Sequence, residues 1–190
     1  MLARRDLPCY HRCMTIVQTT ARGLLVLVTS LGIAACSSHN WRDYSSPDAP
    51  YRVMFPDKPA VHKRDIDLDG MKVAMTMTAV DDDGTIYAVG SAEAPDAAKA
   101  GAALAAMKTA LVNNIGATVT REKASASSSA SGQKTSLDIE ASGVRNGTPM
   151  KLIGHFEARD KRFYQVIVMG KDKAMPKEAV EQFISSFTLL

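Results

Sequence analysis

Several groups of side chains in this 190-residue chain have types and spacings suited to chemistry. The run Asp65-Ile66-Asp67-Leu68-Asp69-Gly70 fits the first half of a twelve-residue calcium loop, where alternate carboxylates converge on the ion and a glycine makes the sharp turn. The twelfth position of such a loop should be a bidentate glutamate, and here it is Thr76. Ile66 and Leu68 alternate with the aspartates as in a strand, so the run reads as a strand entering an Asp69-Gly70 turn. Met71, Met75 and Met77, with His62 and His155 elsewhere, offer the soft ligands that select Cu(I). Three methionines on one face of an alternating segment read instead as pliable core filling. Asp81-Asp82-Asp83-Gly84 reads as a solvated turn with a weak attraction for cations. His155 shares a strand face with Lys151, Ile153 and Glu157, half-buried or exposed; acid-base or nucleophilic work would need a partner brought to it in space. No catalytic, cofactor or metal residue is assigned on this basis, and the chain is not read as an enzyme.

The most informative reactive side chain is Cys36. It follows an uncharged run, "GLLVLVTSLGIAA" over residues 23–35, preceded by Arg22 and by Arg4, Arg5 and Arg12. Thirteen residues are too few to span a bilayer core, which takes about 20, but suit the apolar segment of a signal peptide. The order Ile33-Ala34-Ala35-Cys36 resembles the lipobox of bacterial lipoproteins. That resemblance implies a cleaved signal over residues 1–35, a diacylglyceryl group on the Cys36 thiol and a palmitoyl-type chain on its new amino group. Ser37, where an aspartate would favour the inner membrane, implies an outer-membrane anchor facing the periplasm. Met14 offers an alternative, better-proportioned start. Arg4-Arg5 resembles a twin-arginine export signal, but it stands far from the apolar core and the rest of that motif is missing.

Cleavage at this point changes the composition. Removing Arg4, Arg5, Arg12 and Arg22 from 23 basic residues and Asp6 from 20 acidic ones leaves 19 of each, so the mature chain is formally neutral. Nucleic-acid binding loses its electrostatic warrant. Cys9 and Cys13 go as well, leaving Cys36 as the mature chain's one cysteine and no disulfide framework. Residues 36–50 read as the lipidated cysteine and a flexible polar tether, long enough to hold a domain up to roughly 45–50 Å from the lipid. Trp41 and Tyr44 within it are placed to rest on membrane or domain.

Residues 51–190 read as a single α+β domain. Strand alternation covers Tyr51–Phe55, residues 61–68, residues 71–79 and residues 85–92, with Asp69-Gly70 and Asp83-Gly84 as hairpin turns. Pro95 and Asp96 open an alanine-rich helix whose Leu104, Met107, Leu111 and Ile115 recur at helical spacing, with Gly116 ending it. A strand pattern over residues 117–122 runs into "ASASSSASG", residues 124–132, which reads as a flexible serine-rich loop. Strands follow over residues 134–142, 149–158 (after Asn146-Gly147) and 162–169; the last is apolar on both faces and so expected to be central. Pro176 starts a closing helix with Val180, Phe183, Ile184 and Phe187 on one side.

The opening "YRVMFPDKP" (residues 51–59), the mid-domain helix, "RFYQVIVMG" (residues 162–170) and "FISSF" (residues 183–187) resemble small exported bacterial domains of the PsbP-like fold. That fold, an antiparallel sheet meander with helices packed on it, is also found in an extrinsic photosystem II subunit and a Ran-binding nuclear factor. The resemblance implies a fold and no activity, because its members do unrelated work. The expectation is therefore a lipid-anchored binding or accessory module with a protein partner in the cell envelope. The alternative expectation is a periplasmic small-molecule or metal-binding domain, and an enzyme after that.

Overall fold

The computed structural model describes residues 39–129 and 132–190, which belong to one compact unit; the expected signal peptide and Cys36 lie outside the described residues. Ten strands and two longer helices follow in the order β1 Arg42–Ser45, β2 Tyr51–Phe55, β3 Ala60–Leu68, β4 Met71–Asp82, β5 Thr85–Glu93, α1 Ala97–Asn114, β6 Ala117–Ser129, β7 Gly132–Arg145, β8 Thr148–Arg159, β9 Arg162–Lys171, α2 Lys177–Ser186 and β10 Thr188–Leu189. A seven-stranded antiparallel sheet has the order β3-β4-β5-β9-β8-β7-β6, and a small sheet has the order β1-β2-β10. The expected α+β class, an antiparallel meander with an alanine-rich helix and a C-terminal helix packed on it, is what the strand pairings give.

Strand β9 lies fourth of seven, as its two-sided apolar pattern requires. Phe163 and Ile167 point into the core beneath α1, while Tyr164, Val166 and Val168 point into a second core with α2 and the small sheet. Tight turns make this meander. Asp69-Gly70, Asp83-Gly84 and Asn146-Gly147 each pair a non-glycine residue at φ 50 to 55° with a glycine at φ 76 to 84°, the left-handed pair that two-residue hairpins of matching twist need. Asp67 and Asp81 brace the first two by accepting the amide protons of Gly70 (2.6 Å) and Gly84 (2.9 Å). The aspartates of the calcium-like run are thus spent on a strand and its turn.

Helix α1 starts where Asp96 accepts the Lys99 amide at 2.8 Å. It buries Ala100, Ala103, Leu104 and Met107 against the sheet, and the small alanines bring its axis close. Asp96→Ala is expected to cost about 1 kcal/mol. Thermal unfolding checks it; a stability equal to wild type would mean that the cap is dispensable.

Two readings need correction. The expected tether of residues 36–50 is folded from Trp41 onward: β1 pairs with β2 in the register Arg42↔Phe55 to Ser45↔Arg52, and Ala49 is buried. The cause is backbone pairing, reinforced by the two-pronged Arg52–Asp43 ion pair and by Tyr44 stacking edge-on to Phe55 at 5.8 Å. The serine-rich segment is not a free loop either. Residues 124–129 continue β6 and pair with β7 from Ser129↔Gly132 to Ala124↔Leu137. Asp160, in the β8–β9 turn, fastens this end: its amide donates to the Gln133 carbonyl at 3.0 Å, and its carboxylate accepts the Gln133 amide at 3.2 Å. Inter-strand hydrogen bonds need no apolar side chain, so a run of exposed serines can be a strand when its neighbour is already in place.

Candidate functional site

The methionines serve as core side chains. Met75 is buried in the core beneath α1, Met71 and Met77 pack against it, and His62, opposite Met77 on β3, is exposed. The Met77 sulfur accepts a hydrogen bond from the buried Gln165 amide at 3.4 Å. These side chains cross above Gly90, where an added Cβ would come within 2.8 Å of both. Among the described residues no group of three or more histidine, cysteine or acidic side chains is arranged to hold a metal ion.

The polar cluster with the most chemical potential surrounds His155. The register Asp138↔His155 places one carboxylate directly across from the ring, and strand periodicity puts Glu157 two residues on, on the same face. His155 Nδ1 lies 2.6 Å from Asp138 Oδ1, and Nε2 lies 3.3 Å from Glu157 Oε2. Lys134 Nζ completes the chain at 3.0 Å from Glu157 Oε1. Glu157 is only 5% exposed, so its charge is sustained by these two partners. Phe187, with its ring 6.1 Å from that of His155, closes the α2 side. Lys134, His155, Glu157, Arg159, Ile184 and Phe187 line a hollow of about 370 Å³.

Burial alone would lower the His155 pKa, but its hydrogen bonds to Glu157 and Asp138, with their charges, outweigh it and hold the imidazolium above its ordinary range. Burial likewise would raise Glu157, and the bonds from His155 and Lys134 bring it below its ordinary value. The charged pair is therefore the state the fold favours. A histidine with a raised folded pKa stabilises below its ordinary 6.5 and loses that contribution as pH rises through the higher folded value. A glutamate with a depressed folded pKa stabilises above its ordinary 4.5 and loses that contribution as pH falls through the lower folded value. The network's contribution is thus greatest between about pH 4.5 and 6.5. His155→Gln is expected to flatten the fall in melting temperature between about pH 5.5 and pH 8. An unchanged pH profile in that variant would remove the network from the account.

Sequence periodicity placed His155 with Glu157, Ile153 and Lys151 on one face, as observed. It missed Asp138, which reaches the ring, and Lys134, which reaches Glu157; both arrive through the β7–β8 register. Lys151 turns instead to Glu140, at 3.6 Å, and Arg121 joins that carboxylate at 3.2 Å. Together these side chains make the α2-side face of β6, β7 and β8 a charged shelf, with both signs interleaved. The other face of the same strands is apolar, with Leu137, Ile139 and Leu152 buried beneath α1.

A second histidine reaches a carboxylate at the opposite end of the strands. His39 Nε2 lies 2.9 Å from Asp82 Oδ2, the ring sits 5.7 Å from that of Trp41, and Trp41 packs onto the α2-side core. Close by, the Tyr87 hydroxyl is buried and unpaired, and burial together with the Asp82 charge pushes its pKa up to about 12.

No family model matches the chain, and no curated protein matches it in sequence. Among solved structures it is similar to the solution structure of cyanobacterial PsbP (CyanoP) from Synechocystis sp. PCC 6803, with 14% identity, a TM-score of 0.46, and coverage of 82% of this chain and 96% of that one.

Proposed function

We propose that this protein is a lipoprotein of the bacterial cell envelope, anchored to the outer membrane through Cys36, whose PsbP-like periplasmic domain is a binding or accessory module for a protein partner. The anchor rests on the Ile33-Ala34-Ala35-Cys36 motif, and the fold reading rests on the stretches that open and close the domain. The observation favouring binding over catalysis is the environment of His155. Both ring nitrogens are taken by carboxylates, whereas a general base needs one nitrogen free for its substrate. The remaining chemistry of that face is charge: Arg121 and Lys151 flank Glu140, and Lys134 and Arg159 stand beside Glu157, a mainly basic shelf set with carboxylates that suits a surface of complementary pattern.

Capture with the intact, lipidated protein tests this reading. The expected result is a partner that co-purifies from detergent-solubilised envelope and is lost when Arg121 and Lys151 are both changed to glutamate in a variant that still folds. Repeated recovery of the wild-type protein alone would count against it. A second reading, a small-molecule or metal-binding domain, draws on the hollow beside His155. A large upward melting shift with one metabolite or divalent metal would favour it over a protein partner.

A further inference from the structure

The chain between the lipidation site and the folded domain is much shorter than its composition suggests. His39 is tied to Asp82 at 2.9 Å, its side chain is 16% exposed, and Trp41 and β1 continue directly into the packed domain. Two residues, Ser37 and Ser38, therefore separate Cys36 from His39, and the three Cα–Cα steps reach only about 10 Å at full extension. His39 meets the domain at the end of β4 beside the Asp83-Gly84 turn, the end shared by the close of β9 and the start of β8. The opposite end holds the β3–β4 turn, the β8–β9 turn and the tip of the β6–β7 hairpin.

We infer that the domain stands directly on the bilayer with its β4–β5-turn end toward the lipid, held there by the His39–Asp82 contact. The β8–β9-turn end, with Lys134, Glu157 and Arg159, then faces outward. The occupant of the near end is the lipid surface to which Cys36 is joined. Chain length, not attraction, brings it there: the strand register puts Asp81, Asp82, Asp83 and Asp172 at this end with Arg145, Lys171 and Lys173, both signs mixed rather than a basic patch for anionic headgroups. A strand of ten residues such as β9 spans about 30 Å, so the two ends differ widely in height above the membrane. The hollow beside His155 runs from the middle of the strands toward the far end, where Lys134 and Arg159 line it. This orientation rests on the Cys36 anchor proposed above.

Energy transfer on the full, lipidated protein in phosphatidylcholine vesicles tests it. The mature chain has no other cysteine to interfere, so Lys173→Cys and Lys161→Cys, exposed positions just beyond the two ends of β9, can each carry a donor dye against an acceptor on the lipid headgroups. The expected result is transfer several-fold stronger from position 173 than from position 161, with the difference shrinking when His39→Ala or Asp82→Ala is added. Equal transfer from both positions in vesicle-bound protein would overturn the orientation and leave the anchor standing. Failure of the protein to associate with vesicles, with no acyl mass on Cys36, would overturn the anchor itself and this inference with it.

Discussion

Cys36→Ser is expected to abolish incorporation of a palmitate analogue and to leave the precursor at full length, still carrying residues 1–35. The effect should be all-or-none, because the thiol is the acceptor of the diacylglyceryl group that the lipobox reading requires before cleavage. One acyl chain gives only marginal membrane binding, at about 0.8 kcal/mol per buried methylene, but the three chains implied at Cys36 would make attachment effectively permanent. Gel mobility and metabolic labelling read both outcomes in one experiment. A variant processed to normal size would return the apolar segment to the status of an ordinary signal peptide.

The second large effect is expected in the core. Phe183 on α2 is fully buried, with its ring 5.2 Å from that of Phe55 on the small sheet and 5.4 Å from that of Tyr87 on the large one. It is the side chain through which the helix grips both sheets. Phe183→Ala removes that contact and leaves a cavity whose walls, built from two sheets, have little freedom to collapse. A loss of about 3–5 kcal/mol follows, and a domain of this size should melt roughly 6–20 °C lower. Val144, which is 61% exposed on the β7–β8 hairpin, provides the comparison; Val144→Ala should stay within about 0.5 kcal/mol of wild type. Equal melting temperatures for the two variants would show that the α2-side core does not carry the fold's stability.

Much of this architecture is legible in local sequence. Aspartate or asparagine before glycine marks three hairpins, because few residue pairs tolerate two consecutive left-handed conformations. Asp96 and Gly116 bound α1 by ordinary capping chemistry, and the two-sided apolar run of β9 marks the centre of the sheet. What local sequence conceals is anything decided by a neighbouring strand. Arg42–Ser45 is polar and has no alternation worth the name, yet it becomes a strand because β2 offers an unpaired edge. The serines of β6 are ordered by β7 and by Asp160, which lies 28 residues beyond Gly132 in the chain. The cluster around His155 shows the same division: Glu157 was visible through the period of two, whereas Asp138 and Lys134 depend on a pairing register that no local pattern encodes.

Strand β9 has a consequence for the time course of folding. Its partner β5 is paired from Ile86↔Met169 to Glu93↔Arg162, across about half of the domain's length. Until β9 is present, the β3–β5 meander and the β6–β8 meander are separate pieces, and neither of the two cores can close. Such distant pairing makes folding slow and concentrates it late in the life of the new chain. The two halves of the sheet thus wait on residues 162–171 before either core can close. The strand that joins the two cores therefore also sets the moment at which they form.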